Sequence, residues 1–193
     1  MTLLLSCLLL KAQDPVIFVE DSLQLNRERN FQLYIAPAYS VNQFVGTGAS
    51  FAGIHLGLIS RDRIDVNVSY SKIVDNFKKQ IIFPSLHTYD QTNYGLHGQY
   101  SFFNKSIRPH VGLGVQYGVV SWKPENNSND TFTDHVYIYN VFLGVKWLIN
   151  RTFALQANAG YNFTQDVEII GLESNDYEGF KADVQLKIRI LNF

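Results

Sequence analysis

The sequence predicts an all-β fold, a transmembrane up-and-down antiparallel β-barrel of eight strands with a filled polar lumen. Three observations predict it. Apolar and polar residues alternate with period two in eight successive windows, the signature of strands with one face in each of two environments. The windows are longer than the roughly 5 to 6 residues of an ordinary globular strand and approach the roughly 9 to 11 that a slanted strand needs to cross a bilayer. The connections alternate between long and short, as in a meander closed on itself. No helical period competes in the same windows.

Composition narrows the function classes. The chain has 193 residues, 46% of them hydrophobic, enough for one ordered domain. Its formal net charge is −1, and no loop interleaves basic and aromatic residues, so nucleic acid is not an expected partner. Cys7 is the single cysteine, which rules out an internal disulfide and a cysteine-based metal site. Neither a metal nor a cofactor is expected.

The N-terminal stretch MTLLLSCLLL, followed by Lys11, Ala12 and Gln13, reads as a secretory signal peptide ending at Ala12. A lipoprotein signal at Cys7 fits less well, because the apolar run before it is short and continues after it. Residues 1–12 are thus read as the signal, 13–30 as an N-terminal periplasmic extension of mixed polarity, and 31–193 as the barrel.

Strands are expected at about 31–42, 46–59, 63–73, 91–103, 106–122, 135–149, 152–165 and 178–191. The seventh shows the pattern: RTFALQANAGYNF places Phe153, Leu155, Ala157, Ala159, Tyr161 and Phe163 on one face, with Gln156, Asn158, Gly160 and Asn162 on the other. Tight turns follow the second, fourth and sixth strands at 60–62, 104–105 and 150–151, the last two using Asn, a turn residue. Longer loops follow the third, fifth and seventh at 74–90, 123–134 and 166–177. The connection at 41–45 is a short exception.

Alternation alone also suits a soluble lipocalin-like ligand-binding barrel, so the polar face decides. A soluble exterior would be dense in Lys and Glu. Here that face carries Gln32, Asn67, Gln99, Gln116, Asn140, Gln156 and Gln185, with His55, His97 and His110, and eight of the chain's thirteen glycines. Glycine suits the narrow interior of an eight-stranded barrel, so the polar face should point inward and the apolar face toward lipid. Aromatic residues cluster toward both ends of the apolar face, Tyr70, Tyr94, Tyr117 and Tyr137 at one and Phe31, Tyr100, Trp147 and Phe153 at the other, as in the girdles of membrane barrels.

On these features residues 31–193 resemble the small eight-stranded outer-membrane barrels of the OmpA-like and OmpX-like type. The resemblance implies the outer membrane of a Gram-negative bacterium, a wall bathed in lipid bilayer and lipopolysaccharide, and an assembly machinery that recognises the last strand through a C-terminal aromatic, here Phe193 with Leu191. Lys187 and Arg189 share the parity of those two residues. The alternation must therefore slip near Leu191, by a bulge or by leaving the membrane.

Four groups of residues are candidates for function. Arg63, Arg108, Lys146, Lys181, Lys187 and Arg189 are expected in the lumen with Asp65 and Asp183, as a polar plug rather than an ion path, because eight strands leave room for side chains and little else. Ser121 and His135 flank the connection at 123–134 with outward parity, the arrangement of a lipid A acyl-modifying enzyme, in which Glu125 or Asp134 would orient the base. No hydrolase motif surrounds them. The connection at 74–90 displays Phe77, Lys78, Lys79, Ile81, Ile82 and Phe83, an edge for β-augmentation by a partner or a surface packed on its own neighbours. The last carries Asp166, Glu168, Glu173, Asp176 and Glu178 with no Lys or Arg, a solvated acidic surface or a place for divalent cations bridging lipopolysaccharide or a partner. A structural or surface-interaction role through these loops is the expected function.

Overall fold

The computed structural model describes residues 31–44, 47–75, 77–82, 85–103, 105–124, 131–165 and 178–192. Residues 1–30, over which a signal peptide and an N-terminal extension are expected, lie outside them, as do Asn104 and Phe193. Nine strands form: β1 (Phe31–Phe44), β2 (Thr47–Ser60), β3 (Ile64–Ile73), β4 (Phe77–Ile82), β5 (Ser85–Ser101), β6 (Ile107–Pro124), β7 (Phe132–Leu148), β8 (Phe153–Gln165) and β9 (Gly179–Asn192). All pairings are antiparallel. β1 pairs with β9 and β3 with β5, so eight strands close into a barrel and β4 is left as an extra strand on β5. The expected eight staves are present. The connection at 74–90, expected as a loop, instead forms a hairpin that carries β5 well beyond the barrel rim.

The register gives the tilt. Moving across the strands from Gln32, partners run through Ile59, Asp65, Gln99, Gly112, Phe142, Gly160 and Lys181 and return to β1 at Asn42. The ladder therefore closes with a stagger of ten residues. At about 3.3 Å per residue and about 4.8 Å between strands, that stagger over eight strands tilts them by about 40°, within the range for closed barrels.

The apolar residues of the alternation face outward. Leu56, Val68, Leu96, Leu113, Val141, Leu143 and Val184 are all exposed, whereas Gln32, Asn67, Gln99, Gln116, Asn140 and Gln156 are buried inside. Outside, tyrosines at one level form a ladder: Tyr70, Tyr94, Tyr117 and Tyr137 are direct partners across three strand pairs, with ring centroids 5.5 Å apart for Tyr70 and Tyr94 and for Tyr117 and Tyr137. Tyr161 continues the belt against Phe163 and Phe180.

Turn chemistry explains the tight end. Arg61 and Asp62 both take positive φ, 45° and 61°, and Arg63 N–H donates to Ser60 O, the backbone of a primed two-residue hairpin whose twist matches its strands. At the turn after β7, the Asn150 side-chain oxygen accepts from the N–H groups of Thr152 and Phe153, each at 2.8 Å. Near the end of β9 the expected slip is a bulge. Leu33 pairs with Leu191 but Tyr34 with Arg189, leaving Ile190 unpaired, and Ile190 and Leu191 are consecutive exposed residues.

Candidate functional site

The lumen is built around Asp65, near the start of β3. It accepts from Tyr34 Oη at 2.7 Å, Gln99 Nε2 at 3.0 Å and Lys187 Nζ at 2.5 Å, and the Lys187 ammonium also lies 4.5 Å from the centre of the Tyr34 ring. Gln99 and Gln156 exchange hydrogen bonds across the barrel, at 3.1 and 2.9 Å. Gln156 donates on to Asn158, which donates to Asp183 and accepts from His110. Gln185 donates to the same Asp183 oxygen. A continuous network thus links β1 and β3 to β8 and β9.

Two voids interrupt this packing, each about 20 Å³ and each lined in part by His55, Lys181 and Asp183. Each has room for a single water. Close approach holds the rest. A Cβ added at Gly114 would overlap the His97 ring, and one at Gly112 the Phe142 ring, so these glycines are what let bulky side chains cross so narrow a space.

The structure places seven of the eight expected lumen residues inside: Asp65, Arg108, Lys146, Lys187 and Arg189 buried, Lys181 and Asp183 half-buried. The exception is Arg63. Its parity points inward, but it belongs to the turn and its side chain is exposed. The partner of Arg108 is Asp62, not one of the expected acids: Arg108 Nη1 donates to Asp62 O at 2.9 Å, and Nη2 lies 3.6 Å from the Asp62 carboxylate. Tyr34 was also missed. It shares the parity of Gln32, so counting by twos would have found it.

The lumen is less uniformly polar than expected. Phe51, Tyr89, Val120, Val136 and Ile138 are buried toward the loop end, and Ile59, Ala36 and Ala154 toward the turn end. All sit at inward positions that the polar-face reading left unassigned.

Ser121 and His135 lie on the outer wall, but the register sets Ser121 opposite Thr133 and His135 opposite Val119. His135 stacks on Tyr117, centroids 5.4 Å apart at 13°, and its Nδ1 shares a 2.6 Å hydrogen bond with Tyr117 Oη. The Asp134 carboxylate accepts from the His135 backbone N–H at 2.7 Å. Glu125 is outside the described residues.

At the loop end, β5, β6 and β7 run past the tyrosine ladder. From Tyr94 to the start of β5 at Ser85, the strand climbs on the order of 20 Å above the ladder. There β5 pairs with β4 through Phe77 with Tyr89, Lys78 with Thr88 and Lys79 with His87, and among the described residues β4 has no second neighbour in the sheet. The segment between β3 and β4 is anchored to β2: Val74 N–H donates to Ser50 O, and Ser50 N–H donates to the Asp75 carboxylate at 2.6 Å. Lys72 and Asp90 form an exposed ion pair at 2.9 Å beside it. Ile81 and Ile82 complete β4, while Phe83 lies outside the described residues, as do Asp166, Glu168, Glu173 and Asp176. Glu178 accepts from Thr164 N–H at 3.4 Å, bridging β8 and β9.

No protein-family model matches the sequence, and no curated protein matches it. Solved structures do. The N-terminal β-barrel domain of Pseudomonas aeruginosa OprF is similar over 84% of this chain and 98% of its own, at 16% identity and a TM-score of 0.59. Neisserial surface protein A is similar over 83% and 96%, at 13% identity and a TM-score of 0.58. Ail, the attachment invasion locus protein of Yersinia pestis, is similar over 84% and 99%, at 13% identity and a TM-score of 0.54. The fold is that of the small eight-stranded outer-membrane barrels.

Proposed function

We propose that this chain is an outer-membrane barrel of a Gram-negative bacterium that acts as a surface-interaction protein, recruiting an extended segment of an extracellular partner to the free edge of β4. The observation that carries the reading is the hairpin: a strand with one neighbour among the described residues, carried beyond the barrel rim by an extended β5. Such an edge presents unpaired backbone donors and acceptors, and β-augmentation uses them for affinity. Lys78 and Lys79 on that strand favour an acidic segment. Among the similar structures, Ail bears the name attachment invasion locus protein, in keeping with a surface role for this architecture.

In this setting the exposed apolar wall is solvated by acyl chains, the short turns face the periplasm, and the long connections meet lipopolysaccharide and the exterior. The filled lumen supports the role by holding the hairpin on a rigid base. The test compares cells producing the full chain with cells producing a variant whose residues 77–89 are replaced by a short turn, both confirmed as folded barrels by heat-shift gels. The full chain should increase adherence of cells to protein-coated surfaces and the variant should not. Equal adherence of both to that of cells lacking the protein would refute the proposal.

A further inference from the structure

We infer that the turn end of the lumen is a binding site for a small inorganic anion such as chloride or phosphate. Four cationic side chains lie there on three strands, β6, β7 and β9. Arg108 on β6 is the direct partner of Lys146 on β7. Lys187 on β9 is the direct partner of Ala154 on β8, and Arg189 follows one inward position later, its backbone N–H bound to Thr152 O. All four are at least nine-tenths buried, at 0% exposure for Arg108 and Lys187, 1% for Lys146 and 8% for Arg189.

Among the described residues, two carboxylates stand at this level. Asp65 takes Lys187 and Asp62 takes Arg108. Lys146 and Arg189 then have no carboxylate within ion-pair distance among the described residues, so basic side chains outnumber acidic ones at this level by four to two. One donor of the cluster has no acceptor: Arg189 Nε is buried without a hydrogen-bond partner among the described residues. Buried charges require counter-charge, and buried guanidinium donors require acceptors. An anion supplies both at once. On β8, between β7 and β9, the inward residue opposite Lys187 is the small, buried Ala154. The site lies at the end closed by short turns and needs no assumption about what the hairpin binds.

The test uses the whole barrel refolded in lipid vesicles and unfolded with urea at constant ionic strength, sodium gluconate being replaced stepwise by sodium chloride and, in a second series, by phosphate. Gluconate, a large organic anion, serves as the reference. A bound anion should raise the folding equilibrium constant about tenfold when its concentration is about ten times the dissociation constant, in a curve governed by one site. Lys146→Met should flatten that curve, and Arg189→Gln provides an independent check should the first variant fail to fold. Exposed Lys105→Met should leave it unchanged. Identical midpoints in gluconate, chloride and phosphate would overturn the site, as would an anion effect that persists undiminished in both lumen variants.

Discussion

Asp65 is the residue on which the lumen depends. Its carboxylate is fully buried and is shared by a phenol, an amide and an ammonium. Removing one partner of a buried ion pair strands the other, at a cost of about 3–5 kcal/mol, whereas replacing both with apolar groups of similar size is often neutral. Asp65→Ala should therefore lower stability in vesicles by about that amount, and Asp65→Leu combined with Lys187→Met should recover most of it. Urea midpoints for the two variants check this, and equal losses would mean that the pair is not the stabilising unit. Ser121 represents the opposite case. Because His135 gives its Nδ1 to Tyr117 rather than to a nucleophile, cells expressing the chain should show an unaltered acyl-chain pattern of lipid A by mass spectrometry. A shift in acyl number abolished by Ser121→Ala would establish catalysis instead. Such residue-level facts were only half legible in the sequence. Parity places Asp65 and Lys187 inside, but not their mutual distance, and the Arg61–Asp62 turn that removes Arg63 from the lumen and brings Asp62 to Arg108 depends on two positive φ angles that Arg and Asp do not advertise.

At the scale of elements, the outer wall yields the sharpest prediction. Leu113 lies in the middle of the membrane-crossing part of β6 and is among the most exposed apolar residues, opposite Val141 on β7. Leu113→Arg should cost on the order of 2–4 kcal/mol in a bilayer, the penalty for a lipid-facing cation near the midplane. Exposed Lys105→Arg in the turn should cost nothing measurable. Strands and faces were readable from period two because lipid and lumen impose opposite chemistry on alternate residues along every stave. The hairpin was not readable for the complementary reason: β4 and the start of β5 pair with each other beyond the closed ring of eight staves, where the opposed demands of lipid and lumen end, and FKKQIIFPSLHT keeps the look of a loop. The bulge at Ile190 lies between these cases. Charged Lys187 and Arg189 fix inward parity, apolar Leu191 requires the outside, and one unpaired residue reconciles them.

At the scale of the whole molecule, dimensions tie the sequence to a membrane. Trp147 and Tyr137 on β7 are ten residues apart, as are Phe153 and Phe163 on β8. At about 3.3 Å per residue and a tilt near 40°, each pair spans about 25 Å along the barrel axis, the height of the apolar band of an outer-membrane barrel. The same geometry sets the expected orientation, with the turns at 61–63, 102–106 and 149–152 periplasmic and the β4–β5 hairpin outside. Trypsin added to intact cells should then act only on basic residues of the loop end, at Lys78 or Lys79 in the single-neighbour strand β4 and at exposed Lys123, where β6 is ending. Edge strands open at lower cost than strands with two neighbours, so β4 should be cut before Lys123. Arg61, Lys105 and Arg151 are exposed in the turns, yet should survive until the outer membrane is breached. Peptide mass mapping of the fragments distinguishes the outcomes: cleavage after Arg151 in unbroken cells would place the turns outside and invert the barrel, and with it the proposal that β4 meets extracellular partners.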